Sequence, residues 1–364
     1  MSILFEPLTL RGVTFPNRAW MAPMCQYSAA AEGPGTGAPT DWHFQHLASR
    51  ALGGAGLILT EATAVSPEGR ISPFDLGIWN DHQVEALRRI TGFVSAQGAV
   101  PGIQLAHAGR KASTDAPWSG GAALTAESGG WTPIAPSALA FSERSLLPAE
   151  LSTADIAAVV QQFADAARRA LAAGFQVAEV HGAHGYLVHQ FLSPYSNTRT
   201  DSYGGSLENR MRFALEVVDA IRAVWPEQLP LFFRSSATDW LAGDSEDQRV
   251  GWTGQDTVRL AKELQAHGVD LLDVSTGGNV PDAVIPVAPG YQVPFAAAVR
   301  EQTGLATAAV GLITEPRQAE GIIAEGGADA VLLGRQLLRD PYWPRHAARE
   351  LGAVIAPAPQ YARA

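Results

Sequence analysis

The feature that most constrains the fold is a regular alternation of short apolar runs with amphipathic segments along the chain. Eight runs have the length and composition of buried strands: Ala19–Met24, Gly56–Glu61, Val100–Ala106, Phe175–Val180, Leu229–Arg234, Val269–Ser275, Ala306–Val310 and Ala328–Leu333. Eight segments have helical periodicity: Trp42–Leu52, Asp81–Ala96, Thr153–Ala173, Leu207–Val224, Thr253–Ala266, Val293–Gln302, Glu315–Glu325 and Gln336–Leu351. Strands separated by helices of this length form parallel βαβ units. Eight such units predict an α/β fold of the (βα)8 TIM-barrel type.

A doubly wound sheet is the alternative architecture for this alternation. It usually carries a glycine-rich fingerprint after the first strand, with an acidic residue about 20 positions further on. Neither that fingerprint nor a G-x-x-x-x-G-K-[ST] loop occurs in the chain. No linker divides the sequence, so residues 1–364 are predicted to form a single domain. We expect three additions to the barrel: a hairpin within Pro7–Phe15 at the barrel bottom, a long loop over Ala108–Ser152, and an extended C-terminal arm over Pro357–Ala364.

Composition argues against several classes of function. The net charge of −10, with no basic run, argues against a surface that binds nucleic acid. Cys25 is the only cysteine, which excludes an internal disulfide and a cysteine-ligated iron–sulfur cluster. No apolar run approaches the ~20 residues of a membrane span, and Met1–Leu8 lacks the basic region of a signal peptide. We therefore expect a cytoplasmic protein without a membrane partner.

Two imidazoles and a phenol follow the fourth predicted strand, in the sequence His181-Gly-Ala-His184-Gly-Tyr186. Barrel enzymes place their chemistry at this carboxyl end of the strands. Neutral histidines can hydrogen-bond a substrate carbonyl oxygen, and a neighbouring tyrosine can transfer a proton. Two alternatives stay open, because the histidines could ligate a metal or be satisfied core residues. The glycines argue against a core position, since they keep the backbone open around the polar groups.

The first and third strands also end in polar residues. Cys25 and Tyr27 follow Pro23, which ends the first strand; the alternative for a lone cysteine is a small buried hydrophobe. Gln104 offers both donors and acceptors, which suits the amide edge of a heterocycle. Lys111 would place a positive charge near the barrel mouth, unless it is a solvated surface lysine.

The last strands predict a phosphate site. Gly311 and Gly334 each follow a predicted strand and precede a helix, and Arg335 comes directly after Gly334. Turns of this kind on strands seven and eight bind phosphate in this fold, and Arg335 can add a charge-assisted contact. Arg234 ends the fifth strand, where a buried guanidinium needs an anionic or carbonyl partner. A phosphorylated planar cofactor fits this combination of groups.

The chain resembles the old yellow enzyme family over essentially its whole length, and its bacterial, thermophilic-like branch in particular. The motifs that carry the resemblance are Ala22-Pro-Met-Cys25 with Tyr27, Gln104–Lys111, His181–Tyr186 with its continuation to Gly205, Gly290-Tyr-Gln292, Leu333-Gly-Arg335 with Leu338–Pro341, and Gln360–Arg363. The resemblance implies FMN bound in a TIM barrel. It also implies reduction of α,β-unsaturated aldehydes, ketones, maleimides or nitroalkenes with NADPH, or with NADH, as the hydride donor.

The resemblance further implies a role for each matching residue. The flavin-binding set would be Ala22, Pro23, Met24, Cys25, Ala62, Gln104, Arg234, Gly311, Gly334 and Arg335. His181 and His184 would hold the substrate oxygen, Tyr186 would donate the proton, and Cys25 would tune the flavin potential. The residues bordering the substrate would be Tyr27, Lys111 and, from the neighbouring subunit of a homodimer or tetramer, Arg363. Here Ala364 replaces the Gly-Trp ending usual in the branch, and a frayed C-terminus is the alternative for this arginine.

Three other functions compete with this prediction. A metal-dependent lyase or hydrolase would use His181 and His184 as ligands, but no third ligand is obvious. A flavin dienoyl-CoA reductase of related barrel type would need an iron–sulfur cluster and extra nucleotide domains, whereas the chain has one cysteine and no such domains. A non-enzymatic ligand-binding or oligomerising barrel would not need so many polar groups at one face.

Overall fold

The computed structural model describes residues 2–241, 243 and 247–363. In these ranges eight parallel strands close into a barrel and follow one another around it in chain order. They are β1 (Ala19–Met21), β2 (Leu57–Ala64), β3 (Val100–Ala106), β4 (Val177–Gly182), β5 (Leu231–Ser236), β6 (Leu271–Ser275), β7 (Ala306–Ala309) and β8 (Ala330–Leu333). The predicted TIM barrel is confirmed.

The helices of the described ranges lie between these strands or, for the last two, follow β8. They are α1 (Asp41–Leu52), α2 (Asp81–Ala96), α3 (Thr153–Ala172), α4 (Leu187–Leu192), α5 (Leu207–Arg222), α6 (Gly254–Ala266), α7 (Val293–Thr303), α8 (Pro316–Ala324), α9 (Arg335–Arg339) and α10 (Trp343–Glu350). Side-chain caps fix several helix starts. Asn80, Ser152 and Thr253 each accept a hydrogen bond from the backbone N–H three residues further on.

The prediction of one final helix over Gln336–Leu351 is wrong, because the structure divides this segment into α9 and α10. Pro341 has no amide N–H, and its ring disfavours the helical conformation at the preceding residue. Asp340 is accordingly extended, with φ −133° and ψ 95°. A second departure is α4, which begins directly after the His/Tyr motif, where no helix is predicted.

The first two strands differ in length from the prediction. β1 ends at Met21, earlier than predicted, because Pro23 cannot donate to the strand ladder. β2 continues to Ala64, later than predicted. Its register against β3 shifts before Ala62, in the manner of a β-bulge, so that Ala62 pairs with Gln104.

The barrel interior is apolar at the amino ends of the strands. The rings of Trp20 and Phe232 stack there with their centroids 5.9 Å apart. The N-terminal hairpin covers this end as predicted: Leu8–Leu10 pairs antiparallel with Val13–Phe15, and the ring of Phe15 lies 4.7 Å from that of Trp20. Because side chains alternate along a strand, the next inward positions lie nearer the carboxyl ends. On β3 to β6 those positions are polar, and they form the floor of the candidate site.

The long loop after β3 packs back on the barrel. It contains two short paired strands, Ile134–Ala135 and Ala149–Glu150. The indole N–H of Trp131 donates to the carbonyl of Glu68 at 2.9 Å, which connects the loop to the segment after β2. The loop therefore stands beside the mouth of the barrel.

The C-terminal arm follows α10. Residues 353–358 have no helix or strand, and a single 3-10 turn forms at Pro359–Tyr361. Met1 and Ala364, the ends of the predicted domain, lie outside the described residues. Within the described ranges no helix is long and apolar enough to span a lipid bilayer.

Candidate active site

The His/His/Tyr motif begins on β4, which continues through His181 to Gly182, past its predicted end at Val180, and then forms a compact turn before α4. His184 and Gly185 both have positive φ angles, of 56° and 73°. A Cβ at Gly185 would lie 2.2 Å from the carbonyl oxygen of Gly278, so this position requires glycine. The turn brings the ring centroid of His181 to 5.2 Å from that of His184 and 4.9 Å from that of Tyr186. The side chains of His181, His184 and Tyr186 therefore lie together, as the sequence predicts.

Both imidazoles are neutral near pH 7. Burial, and then the nearby Arg234 guanidinium, lower the pKa of each well below its ordinary value. Nδ1 of His181 accepts a hydrogen bond from the backbone N–H of Ala183 at 3.3 Å, so the ring proton is on Nε2. Nε2 of His184 is hydrogen-bonded with Ser275 Oγ at 2.7 Å. Each imidazole thus has one ring nitrogen without a hydrogen-bond partner among the described residues.

Tyr186 and the loop after β1 hold three groups that stay protonated. Burial raises the pKa of the Tyr186 phenol well above its ordinary value, and the neighbouring Cys25, Tyr27 and Asp75 raise it further. Burial also raises the pKa of Cys25 and of Tyr27. At neutral pH Tyr186 can therefore act as an acid, whereas Cys25 is a thiol and not a nucleophilic thiolate.

Lys111 connects the long loop to the motif. Its Nζ donates to the carbonyl oxygens of His184 at 2.8 Å and of Gly278 at 3.1 Å, and lies 5.1 Å from the ring centroid of Tyr186. Burial, with repulsion from Arg110, lowers the pKa of Lys111 to about 8. Lys111 is therefore a fixed cation beside the phenol at neutral pH, and not a solvated surface lysine.

Four polar side chains on β3, β4, β5 and β6 form the floor of the site. Gln104 Nε2 donates to Glu179 Oε1 at 2.8 Å. Arg234 Nε lies 3.0 Å from Asp273 Oδ2, so Asp273 is the anionic partner that the sequence requires for this arginine. All four side chains are buried. The floor is therefore a buried layer of two carboxyls, one guanidinium and one amide inside the barrel.

A cleft of about 270 Å³ opens beside His184, between the ends of β6, β7 and β8. The cleft is lined by Gly311, Gly334 and Arg335, the residues of the predicted phosphate site, and also by Arg339. Gly311 has a φ of 118°, and a Cβ there would lie 2.7 Å from Gln292 Nε2. Glycine therefore keeps the backbone accessible at this point, and two guanidinium groups supply positive charge.

The remaining predicted flavin contacts lie at the same end of the barrel. Ala22 and Ala62 are buried at the ends of neighbouring strands, and Pro23 and Met24 continue the loop after β1. Met24 borders the cleft, because its Sδ lies 3.8 Å from the position of a Cβ built on Gly334.

The two outermost predicted residues differ in their surroundings. Tyr27 has a positive φ of 48°, and its ring meets the exposed Trp118 of the long loop edge-on at 5.7 Å. Arg363 is exposed on the arm and forms no hydrogen bond or ion pair with the described residues. The structure of one chain thus brings together every predicted site residue except Arg363.

The sequence analysis assigned no role to several polar residues of the site, namely Asp75, Glu179, Asp273, Gln292 and Arg339. Gln292 and Arg339 do stand in motifs that carry the resemblance. Glu179 and Asp273 do have a sequence signal, because each is an acidic residue inside an apolar strand. An acidic residue in such a position is rarely buried unless it is paired, so it indicates a polar partner inside the barrel. Asp75 has no such signal. It accepts hydrogen bonds from the backbone N–H of Ile71 and from Ser72 Oγ, both at 2.7 Å, and burial raises its pKa to about 7.

The metal-site alternative finds no support in the described ranges. No group of three or more His, Cys, Asp or Glu side chains is placed there to hold a metal ion. His181 and His184 therefore have no third ligand of these types within that part of the chain.

Comparison with known proteins identifies the family of this barrel. Residues 3–353 match the model of the NADH:flavin oxidoreductase / NADH oxidase family. An NADPH dehydrogenase of Geobacillus sp. (strain WCH70) is 50% identical over 362 residues, covering 100% of this chain and 98% of the relative.

Solved structures agree with this assignment. Morphinone reductase superposes with a TM-score of 0.78 at 30% identity, covering 99% of this chain and 92% of that one. A 2-naphthoyl-CoA reductase superposes with a TM-score of 0.85 at 26% identity over 96% of this chain, but only 52% of that longer one. The chain belongs to the NADH:flavin oxidoreductase / NADH oxidase family, to which the old yellow enzymes also belong, and is an FMN-dependent oxidoreductase that uses NADPH.

Proposed function

We propose that this enzyme reduces the C=C bond of activated alkenes, namely α,β-unsaturated aldehydes, ketones, maleimides or nitroalkenes. The observation that carries the proposal is the juxtaposition of two neutral imidazoles with a protonated phenol at the barrel mouth. The imidazoles suit the electronegative substituent of such an alkene, and the phenol suits the carbon that needs a proton.

His181 and His184 hold the substrate oxygen in this proposal. Nε2 of His181 carries a proton and has no described protein acceptor, so it is free to donate. As negative charge develops on the substrate oxygen, donors that are already in place stabilise it without reorganising. The pair thereby polarises the C=C bond and makes Cβ electrophilic.

Tyr186 supplies the proton to Cα. Its raised pKa keeps the phenol protonated at neutral pH, and Lys111 beside the ring stabilises the phenolate left after transfer. The proton moves from the Tyr186 hydroxyl to Cα while the substrate oxygen stays bound to the histidines. Tyr27 and Lys111 border the substrate, and Cys25 would contact bound FMN and tune its potential.

The residues present fit FMN. The cleft with Arg335 offers positive charge and open backbone at Gly311 for the phosphate. Gln104 has an amide that matches a pyrimidine edge, and Arg234 offers a cation to the ring carbonyl. The rest of the flavin-binding set is Ala22, Pro23, Met24, Cys25, Ala62 and Gly334. The chemistry that bound FMN supplies is hydride transfer, with hydride arriving from NADPH and leaving for Cβ of the alkene.

The same proposal covers the assembly and location of the protein. Residues 1–364 form one domain in a homodimer or tetramer, in which Arg363 reaches the site of a neighbouring subunit. The exposure of Arg363 on the C-terminal arm supports this role, because the side chain forms no hydrogen bond or ion pair with described residues of its own chain. The enzyme acts in the cytoplasm, and NADH can replace NADPH as the hydride donor.

Isotope labelling tests the reaction. The enzyme is incubated anaerobically with 2-cyclohexenone and NADPH that carries deuterium at the transferred position, and in a second run with unlabelled NADPH in D2O. We expect deuterium at Cβ of the product in the first run and at Cα in the second. Label from NADPH at Cα, or reduction of the carbonyl to an alcohol, contradicts the proposal.

A further inference from the structure

The floor of the barrel contains one carboxyl group more than it has cations. Glu179 and Asp273 are both fully buried, and Arg234 is the cation that lies between their strands. If both carboxyls were ionised, the layer would carry a net negative charge inside the barrel, where such a charge is costly. One of the two carboxyls therefore holds a proton.

Glu179 is the carboxyl that holds it. Asp273 has its ion pair with Arg234 at 3.0 Å, whereas no cation of the described residues lies within ion-pair distance of Glu179. Burial, and then repulsion from Asp273, raise the pKa of Glu179, and Arg234 offsets only part of that rise. The other described group in contact with this carboxyl is the amide of Gln104 on β3, and the neutral His181 lies two residues further along β4.

The contact with Gln104 indicates what this carboxyl does in the site. Glu179 Oε1 accepts from Gln104 Nε2 at 2.8 Å, while Glu179 Oε2 is buried without a hydrogen-bond partner among the described residues. The bond holds the amide nitrogen of Gln104 toward β4, so the amide oxygen points away from that strand. A flavin pyrimidine edge has an N–H donor between two carbonyl acceptors, which a glutamine amide of fixed orientation can match.

We propose that Glu179, in its protonated form, is a positioning residue for FMN: it fixes the amide of Gln104 in the orientation that the pyrimidine edge of the flavin requires. The proposal rests on the contact between Gln104 and FMN proposed above. An ionised Glu179 would place a negative charge near the two carbonyl oxygens of the ring, so deprotonation of this carboxyl weakens flavin binding.

FMN binding to the apoprotein tests the proposal without any alkene. FMN is removed, and binding is measured by quenching of flavin fluorescence at pH values from about 6 to about 9. Riboflavin, which lacks the phosphate, is titrated in parallel to isolate the contribution of the ring. Arg335→Ala is the matched control, since it should weaken binding of FMN and leave that of riboflavin unchanged.

Three results are expected. Glu179→Ala weakens flavin binding about tenfold at neutral pH, the size of one lost hydrogen bond. Glu179→Gln, whose amide oxygen still accepts from Gln104, stays within about threefold of the parent protein and no longer loses affinity as the pH rises. The double variant of Glu179→Ala with Gln104→Ala binds no more weakly than Gln104→Ala alone, because Glu179 acts through Gln104.

Each opposite result overturns the proposal. Additive losses in the double variant would mean that Glu179 acts independently of Gln104. Equal weakening in Glu179→Gln and Glu179→Ala would mean that the ionised carboxylate is needed. If Glu179→Ala does not fold, as circular dichroism would show, the pH series of Glu179→Gln against the parent protein still decides. Because no alkene is present, failure of the proposed alkene reduction leaves these results unaffected.

Discussion

Replacing His181 with alanine removes one of the two hydrogen-bond donors that we assign to the substrate oxygen. The structure defines what is lost. The backbone N–H of Ala183 occupies Nδ1 at 3.3 Å, so the substitution deletes an Nε2–H donor that has no other described use. His184 remains, held through Ser275 at 2.7 Å. The change therefore tests the donor pair without removing the turn that carries it.

The size of the effect follows from the charge that develops on the oxygen. A single preorganised donor contributes about 3 kcal/mol to stabilising such a charge. Since about 1.4 kcal/mol is a factor of ten in rate, we expect alkene reduction to slow about a hundredfold. A phenol, which mimics the negatively charged oxygen when it binds, should bind about tenfold to a hundredfold more weakly.

Stopped-flow absorbance separates the two half-reactions of His181→Ala. Reduction of the bound flavin by NADPH should stay close to the parent rate, while reoxidation by 2-cyclohexenone slows. His82→Ala, which changes an exposed histidine on α2, is the matched control and should alter neither rate. Unchanged reoxidation in His181→Ala, or equal slowing of both half-reactions, would refute the donor role.

Three further predictions concern the proton, the pH profile and the cofactor. Tyr186→Phe should slow reoxidation by 2-cyclohexenone by about a hundredfold or more and leave flavin reduction by NADPH nearly intact, as stopped-flow kinetics can check; equal loss in both contradicts a proton donor. The reoxidation rate should fall as the pH rises through about 8, because Lys111 then loses the charge that stabilises the Tyr186 phenolate; Lys111→Met should abolish this alkaline limb, and its persistence would assign the limb to another group. Gly311→Ala should weaken FMN binding to the apoprotein about tenfold, because the new Cβ meets Gln292 Nε2 at 2.7 Å with φ at 118°; an unchanged Kd would place the phosphate elsewhere.

The fold could be predicted from the sequence because its signal is long-range and repeated. Eight apolar runs separated by amphipathic helices leave few architectures, and the absence of a dinucleotide fingerprint favours the barrel. The boundaries could be predicted less well. The break between α9 and α10 does have a sequence signal, in Asp340-Pro341, which the helical periodicity on either side obscured.

The candidate site could be predicted where its residues follow strands, and less well where they lie within them. His184, Tyr186 and Gly311 follow strands, where polar residues and glycines are conspicuous after an apolar run. Glu179 and Asp273 lie inside strands, and their pairing with Gln104 and Arg234 depends on the register between neighbouring strands. Register is not visible in a single sequence, so the contacts of these two carboxyls, from which we infer the proton on Glu179, emerge only from the structure.

The most direct test of alkene reduction is an anaerobic spectrum of the purified enzyme taken in two steps. NADPH should bleach the flavin absorption band at about 460 nm, and one equivalent of 2-cyclohexenone should then restore it. A band that bleaches with NADPH and stays bleached after the enone, while oxygen restores it, would show a working flavin enzyme that does not reduce activated alkenes.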